Sequence, residues 1–414
     1  MDSAFQVMAK PIGPLCNLNC KYCYYLEKRE LFKQGQNTRM SGEVLERFIQ
    51  QYISSQRTSS IQFYWQGGEP TLLGVEYFQE IVRLQEQYSD GRQISNSIQT
   101  NAVLLDDEWC EFLAENRFLV GVSIDGPAEL HDKFRLDNKQ NPSHSRVIEA
   151  IERLQAHGVE FNSLTVVNRV NGNHSLKVYQ YLRDLGIEFM QFIPLVERKM
   201  GNKRFKKDAA LAGPPDLSSA LVEHAKVTSW SVRPEQYGRF LTTIFDEWIS
   251  KDVGSIFIQA FETAIRQWMG DDSDICVFAK ECGHCVALEH DGSIYACDHY
   301  VYPNYHLGNL MNAPISEIVN QDRQHAFGSM KESTLSDVCR TCPVGWVCNG
   351  GCPKHRFIRT SNQNSGMNYL CAGYKEFFQH IEPTLLRLRR LLYSGQPAAR
   401  IMEFVNNSKK SQVN

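Results

Sequence analysis

Short apolar runs alternate with longer amphipathic stretches through the first half of the chain. Phe5 to Lys10, Ile61 to Trp65, Gln93 to Thr100, Phe118 to Ile124, Val159 to Val167 and Glu188 to Ile193 read as strands. Between them, Gly42 to Ser54, Val75 to Tyr88, Asp107 to Glu115, Ser145 to His157 and Ser175 to Leu185 carry the period of helices with one buried face. Strands that alternate with helices imply a parallel sheet, because each parallel return needs a crossover long enough to hold a helix. A doubly wound sheet and a barrel share this pattern, and periodicity does not separate them.

The pattern changes after Val196. A Lys-rich stretch, Arg198 to Asp208, reads as a surface excursion, and Pro234 to Ser250 and Gly254 to Met269 read as helices bridging to a second domain. Tyr374 to Asn406 reads as one amphipathic helix running into a polar end. The expected divisions are residues 1–196 as the first domain, 197–270 as excursion and bridge, 271–380 as a cysteine-rich domain, and 381–414 as helix and tail.

Composition narrows the class. With 414 residues the chain can bury the cores of two or three domains. Its 44 basic and 47 acidic residues are interspersed, which gives neither a nucleic-acid track nor a face for an anionic membrane. The start of the chain lacks signal-peptide features, and no apolar window is long enough to span a bilayer, so a cytoplasmic location is expected. Thiols are kept reduced there, which makes metal or cluster ligation the default use for thirteen cysteines.

Cys16, Cys20 and Cys23 form C-x3-C-x2-C on the loop after the first strand, at the rim where parallel βα folds gather ligands. No further cysteine occurs before Cys110. Iron–sulfur clusters normally take four cysteines, so three ligands on a four-iron cluster leave one iron open to a substrate or cofactor. A zinc knuckle would instead bring two close pairs. Gln66-Gly67-Gly68-Glu69-Pro70 follows the second strand, and its glycines let main-chain groups approach a zwitterionic ligand.

The cysteine spacing, with aromatic Tyr22 before the third thiol, resembles the radical S-adenosylmethionine (SAM) family. That resemblance implies an α/β fold built on a partial (β/α)6 barrel. It also implies that the open iron chelates SAM, whose cleavage gives a 5'-deoxyadenosyl radical. It assigns cofactor binding to Tyr22, Gln66, Gly68, Glu69, Ser123, Arg135 and Val196, with Arg135 as a contact to carboxylate or ribose. The competing readings are an ordinary strand-end hydroxyl for Ser123 and a solvated surface residue for Arg135.

Nine cysteines crowd the stretch from Cys276 to Cys371, and the spacing from Cys339 to Cys352 resembles the SPASM auxiliary-cluster domain. The resemblance implies one 4Fe–4S cluster on Cys276, Cys282, Cys297 and Cys352 and another on Cys339, Cys342, Cys348 and Cys371, making three clusters in all. Fully ligated clusters are closed to substrate and would carry electrons. Cys110 reads as a small buried apolar residue. In Cys282-Gly283-His284-Cys285 either thiol could serve, and family spacing favours Cys282.

Asp298 directly follows Cys297, which gives a carboxylate the fixed place a general base needs. It could instead cap a turn or pair with Arg356 or Lys354. From Met8-Ala9-Lys10-Pro11 to Asn368-Tyr369-Leu370-Cys371 the chain resembles the anaerobic sulfatase-maturating enzymes, in which the matching aspartate is the proposed base. The implied substrate is an unfolded sulfatase polypeptide whose cysteine or serine becomes Cα-formylglycine, with auxiliary clusters as electron acceptors and a flavodoxin or ferredoxin as donor. Two other functions compete. One is a SPASM maturase that forms thioether or carbon–carbon crosslinks, against which the early cluster loop counts. The other is a non-catalytic redox sensor or zinc scaffold, which would need no SAM pocket.

Overall fold

The computed structural model describes residues 5–25, 28, 31–32, 38–199, 211, 213–215, 226–359 and 366–413, with side chains of the last segment to residue 407. Most of the Lys-rich excursion, from residue 200 onward, lies outside the described residues.

Six strands, β1 (Gln6–Lys10), β2 (Ser60–Trp65), β3 (Gln93–Thr100), β4 (Leu119–Ser123), β5 (Phe161–Val167) and β6 (Phe189–Pro194), pair in parallel and in sequential order. That order decides the architecture, because a doubly wound sheet reverses its strand order at a switch point and this one never does. The sheet also stays open. Strand β6 pairs onward with β7 (Phe257–Ile258), while β1 takes β8 (Cys285–Glu289) as its second neighbour. The fold is therefore α/β with a partial (β/α)6 barrel.

Side-chain alternation separates the two faces of the sheet. Phe63 and Trp65 pack on Phe48 and Phe78 of the helices Gly42–Ser55 and Val75–Tyr88. Gln62, Ser97, Gln99, Ser123, Asn162 and Gln191, at the alternate positions, line the opposite, inner face, where Gln62 donates to Ser97 and Gln99 to Ser123. Strands of a parallel sheet are usually apolar on both faces, so this polar, half-buried inner face is not a second apolar core.

Strands β8, β9 (Ser293–Tyr295) and β10 (His306–Asn309) continue the same sheet outward from β1, with Lys10 in register with Glu289. The cysteine-rich region is thus joined to the barrel by a strand ladder, and the sheet has no break at residue 270. The helix Pro234–Lys251 lies along the helix Cys371–Tyr393. They cross at Gly238 and Gly373, where a Cβ on Gly373 would stand 2.1 Å from the Pro234 carbonyl oxygen. That crossing fixes the helix start carrying Cys371.

Two expected elements differ. The helix expected over Gly254 to Met269 starts only at Gln259, because Gly254 turns at φ +89° and Phe257–Ile258 is drawn into the sheet beside β6. The single tail helix is two, Cys371–Tyr393 and Ile401–Val413. Gly395 at φ +73° followed by Pro397 stops the first, as a glycine with a nearby proline does after a helix end.

Candidate active site at the barrel rim

The loop after β1 buries Cys20 and half-buries Cys16 and Cys23 beside Leu18, Tyr22, Phe134 and Leu195. Burial pushes both the Cys16 and Cys20 thiols up to about 12; the Glu69 carboxylate adds to the rise at Cys16, and Arg135 opposes it at Cys20. The segment after β2 clamps this loop. The Gly68 N–H donates to the Gly13 carbonyl at 2.7 Å and the Glu69 N–H to the Leu15 carbonyl at 2.8 Å. Asn101, at the end of β3, donates to Asn17 Oδ1 at 2.7 Å.

The residues read as SAM contacts fall into two groups. Gln66 leaves its Oε1 buried without a hydrogen-bond partner beside the cluster loop, which suits it to a ligand ammonium. Ser123 Oγ accepts from Gln99 on the inner face, and this crossing depends on Gly121, where a Cβ would lie 2.2 Å from Gln99 Oε1. Val196 is buried just beyond β6.

Three others are occupied by the protein itself. The Glu69 carboxylate accepts from the Thr71 N–H and hydroxyl, the Thr100 hydroxyl and the Asn101 N–H, so it ties the ends of β2 and β3 together. Arg135 is buried and ion-paired with Asp125 at 3.0 Å, which excludes the solvated-surface reading. Tyr22 donates to the same Asp125 at 2.5 Å, and the Arg135 guanidinium lies 5.5 Å from the Tyr22 ring. Tyr22 and Arg135 therefore brace the cysteine loop through Asp125.

Asp298 opens a short 3-10 turn directly after Cys297. Its carboxylate pairs neither with Lys354, which binds Glu197 at 2.6 Å, nor with Arg356, whose hydrogen bonds go to backbone carbonyls and the Thr334 hydroxyl. The partners are Lys10, at 2.5 Å from the end of β1, and the hydroxyl of Tyr24, next to Cys23. Burial would raise the Asp298 pKa, but the charges of Lys10 and His299 and the hydrogen bonds from Lys10 and Tyr24 outweigh it and hold it to about 2. Burial and the Lys354 charge lower His299 to about 4, so at neutral pH a carboxylate stands beside a neutral imidazole. Sequence reasoning missed Lys10 and Tyr24. The available signal was a lysine ending a short, largely apolar strand directly ahead of the cysteine loop.

The carboxy-terminal thiols gather in two places. Cys276, Cys282, Cys297 and Cys352 act electrostatically on one another. Cys339, Cys342, Cys348 and Cys371 line one pocket with Val338, Val344 and Asn368. Cys285 lies on β8 in register with Gln6, and its charged neighbours are Asp298, Cys276 and Lys10. Cys110 is fully buried in the main apolar core. Among the described residues no group of three or more His, Cys, Asp or Glu is arranged to hold a single metal ion, and no helix is long and apolar enough to cross a membrane.

Residues 11–182 match the Radical SAM superfamily, and residues 276–343 match the SPASM iron-sulfur cluster-binding domain. The serine-type anaerobic sulfatase-maturating enzyme of Bacteroides thetaiotaomicron is 44% identical over 397 residues, 96% of this chain and 94% of that protein. The cysteine-type enzyme of Clostridium perfringens is 32% identical over 387 residues, 92% of this chain and 97% of that protein. The solved structure of native anSMEcpe with bound AdoMet has a TM-score of 0.80 at 31% identity, covering 93% of this chain and 99% of that one. The same protein with AdoMet and the Cp18Cys peptide has a TM-score of 0.79 at 30% identity, covering 93% and 99%.

Proposed function

This chain belongs to the anaerobic sulfatase-maturating enzymes of the radical SAM superfamily, and from that premise we propose that it oxidises a cysteine or serine of an unfolded sulfatase polypeptide to Cα-formylglycine. One observation carries the reading. The Asp298 carboxylate joins the two cysteine regions, held on one side by Tyr24 and Lys10 at the barrel loop and covalently tied on the other to Cys297.

The proposed cofactors are SAM and three 4Fe–4S clusters, on Cys16, Cys20 and Cys23; on Cys276, Cys282, Cys297 and Cys352; and on Cys339, Cys342, Cys348 and Cys371. When bound, they supply a 5'-deoxyadenosyl radical that removes a β-hydrogen, and an acceptor for the electron left on the substrate. The chain's own residues do the rest. Gln66 Oε1 and the glycine backbone after it receive the methionine ammonium, while Ser123 and Val196 line the pocket. Glu69, Tyr22 and Arg135 hold the pocket walls in place. Asp298 takes the thiol or hydroxyl proton as the electron departs. Serine then yields the aldehyde directly, whereas cysteine yields a thioaldehyde that water hydrolyses with release of sulfide. The higher identity to a serine-type relative supports serine as an accepted target. An extended polypeptide reaches the rim more readily than a folded one, and a flavodoxin or ferredoxin is the proposed donor.

The test is anaerobic turnover with SAM, dithionite and a sulfatase-derived peptide carrying Cys-x-Pro-x-Arg or its serine counterpart. The expected result is the aldehyde together with 5'-deoxyadenosine. Deoxyadenosine with an internally crosslinked peptide would replace this reading with a crosslinking maturase, and intact clusters without deoxyadenosine would replace it with a redox sensor.

The two candidate thiols of the first auxiliary set separate in the same preparations. Cys282 has Cys276 and Cys352 as neighbours, whereas Cys285 faces Asp298 and Lys10 along with Cys276. Cys282→Ser is expected to lose about four of about twelve irons, and Cys285→Ser to keep them all. Colorimetric iron counting on both variants decides it.

A further inference from the structure

Among the described residues, Lys331 is fully buried on the helix Asp322–Ser333 without an ion pair to any carboxylate. Its ammonium donates to the carbonyls of Cys276 at 2.7 Å, Val277 at 3.0 Å and Ala279. Arg356, 1% exposed, sits behind it and donates to the carbonyls of Lys331 at 2.5 Å, Asn349 at 2.9 Å and Gly350 at 3.1 Å. Lysine and arginine are almost never fully buried unless paired, and dipoles alone offset a buried charge poorly. The acidic groups facing these cations are cysteines, which become thiolates on ligating a cluster, and at Arg356 also the Tyr300 hydroxyl. Cys282, Cys352 and Cys276 stand beside Lys331, and Cys339, Cys282 and Cys352 beside Arg356. Arg356 thus faces both auxiliary sets, while the thiol neighbours of Lys331 all belong to the first. The cation lining the second pocket, Lys375, is exposed and screened by water.

We infer that Lys331 is a positioning charge that makes the first auxiliary site, next to Asp298, more readily reduced than it would be without that charge. The inference rests on the cluster assignment proposed above. Four thiolates leave an oxidised cluster net negative, and an electron adds one more negative charge. A fixed cation in a low-dielectric wall stabilises the reduced form more than the oxidised one. Lys331 thereby favours electron transfer to the cluster whose proposed ligand Cys297 precedes Asp298.

The experiment is an EPR-monitored redox titration of the reconstituted full chain, with iron counted in every sample. Lys331→Met removes charge and donors, Lys331→Gln removes the charge but keeps a donor, and Lys331→Arg keeps the charge. The signal missing from Cys282→Ser identifies the first auxiliary cluster. Both neutral variants are expected to shift that cluster's oxidised-to-reduced ratio at fixed poise at least tenfold toward oxidised, 59 mV for one electron. Lys331→Arg should restore it, and the other two signals should stay in place. Unchanged midpoints with full iron would overturn the inference and leave the cluster assignment standing. Loss of iron in both neutral variants would make Lys331 a structural support and also overturn it. A wild-type chain that binds no iron at Cys276, Cys282, Cys297 and Cys352 would overturn the cluster assignment itself.

Discussion

Asp298→Asn is expected to keep cleaving SAM to 5'-deoxyadenosine while losing aldehyde formation by at least about 10²-fold, the lower end of what a positioned general base contributes. Asparagine has the same shape and can still accept from Tyr24, so the pocket should hold its form. What disappears is the anion. The wild-type carboxylate is a weak base, held to about 2 mainly by the Lys10 charge. A weak base suffices here, because the O–H or S–H proton of a carbon-centred substrate radical becomes strongly acidic as the electron leaves. Asparagine cannot take that proton, so electron loss stalls, and the substrate radical returns to starting peptide by taking one electron from the dithionite of the assay and one proton from water.

The same substitution has a stability cost whose sign follows from the pKa. The folded value of about 2 lies below the ordinary aspartate value of 3.8, so the ion pair stabilises the fold above about pH 4 and is lost as pH falls toward 2. Asp298 is 16% exposed and Lys10 1%, and removing one partner of such a buried pair costs on the order of 3 kcal/mol. Asp298→Asn should therefore melt earlier than wild type at neutral pH, and both should converge near pH 2. Peptide mass and deoxyadenosine are read from one reaction, at a temperature where iron content equals that of wild type. Full aldehyde yield under those conditions would remove Asp298 from the chemistry.

Much of the barrel was legible because its strands and helices carry strong, opposed periods. Val75–Tyr88, Asp107–Glu115 and Gln93–Thr100 begin and end where the apolar spacing does. The polar residues inside those strands, Gln62, Gln99, Ser123 and Gln191, were equally visible, and they line the inner face. The contacts that assemble the site were not. Tyr24 and Asp298 are 274 positions apart, and their meeting follows from β8 pairing with β1, a five-residue strand whose pattern does not name its neighbour. Glu69 shows a different limit. A motif marks a residue as necessary without saying which way its side chain turns, and here it turns toward Thr71, Thr100 and Asn101. Lys331 was hidden because its helix shows almost no amphipathic pattern, so burial of its ammonium comes wholly from tertiary packing.

Gly68→Ala should abolish SAM cleavage outright while leaving the carboxy-terminal cysteine sites loaded. A Cβ at Gly68 would lie 1.8 Å from the Leu15 carbonyl oxygen and 2.4 Å from its carbon, so backbone would have to move rather than a flexible side chain. The segments cannot part without breaking the Gly68-to-Gly13 and Glu69-to-Leu15 hydrogen bonds. Each is worth about 1 kcal/mol, with more lost if the buried groups find no new partner. Leu15 adjoins Cys16, so the displacement passes directly to the first thiol of the barrel loop. About eight irons per chain should remain where wild type is expected to hold about twelve, with deoxyadenosine at background. Gly42→Ala is the matched control. A Cβ there meets nothing within 4 Å, and it lies in the helix after the same loop, so it should keep all iron and full cleavage. If Gly68→Ala also kept both, the clamp between the glycine turn and the cysteine loop would not be what positions the barrel thiols, and the other ties on that loop, Asn101 to Asn17 and Cys16, Asn138 to the Cys16 carbonyl and Tyr22 to Asp125, would hold it instead.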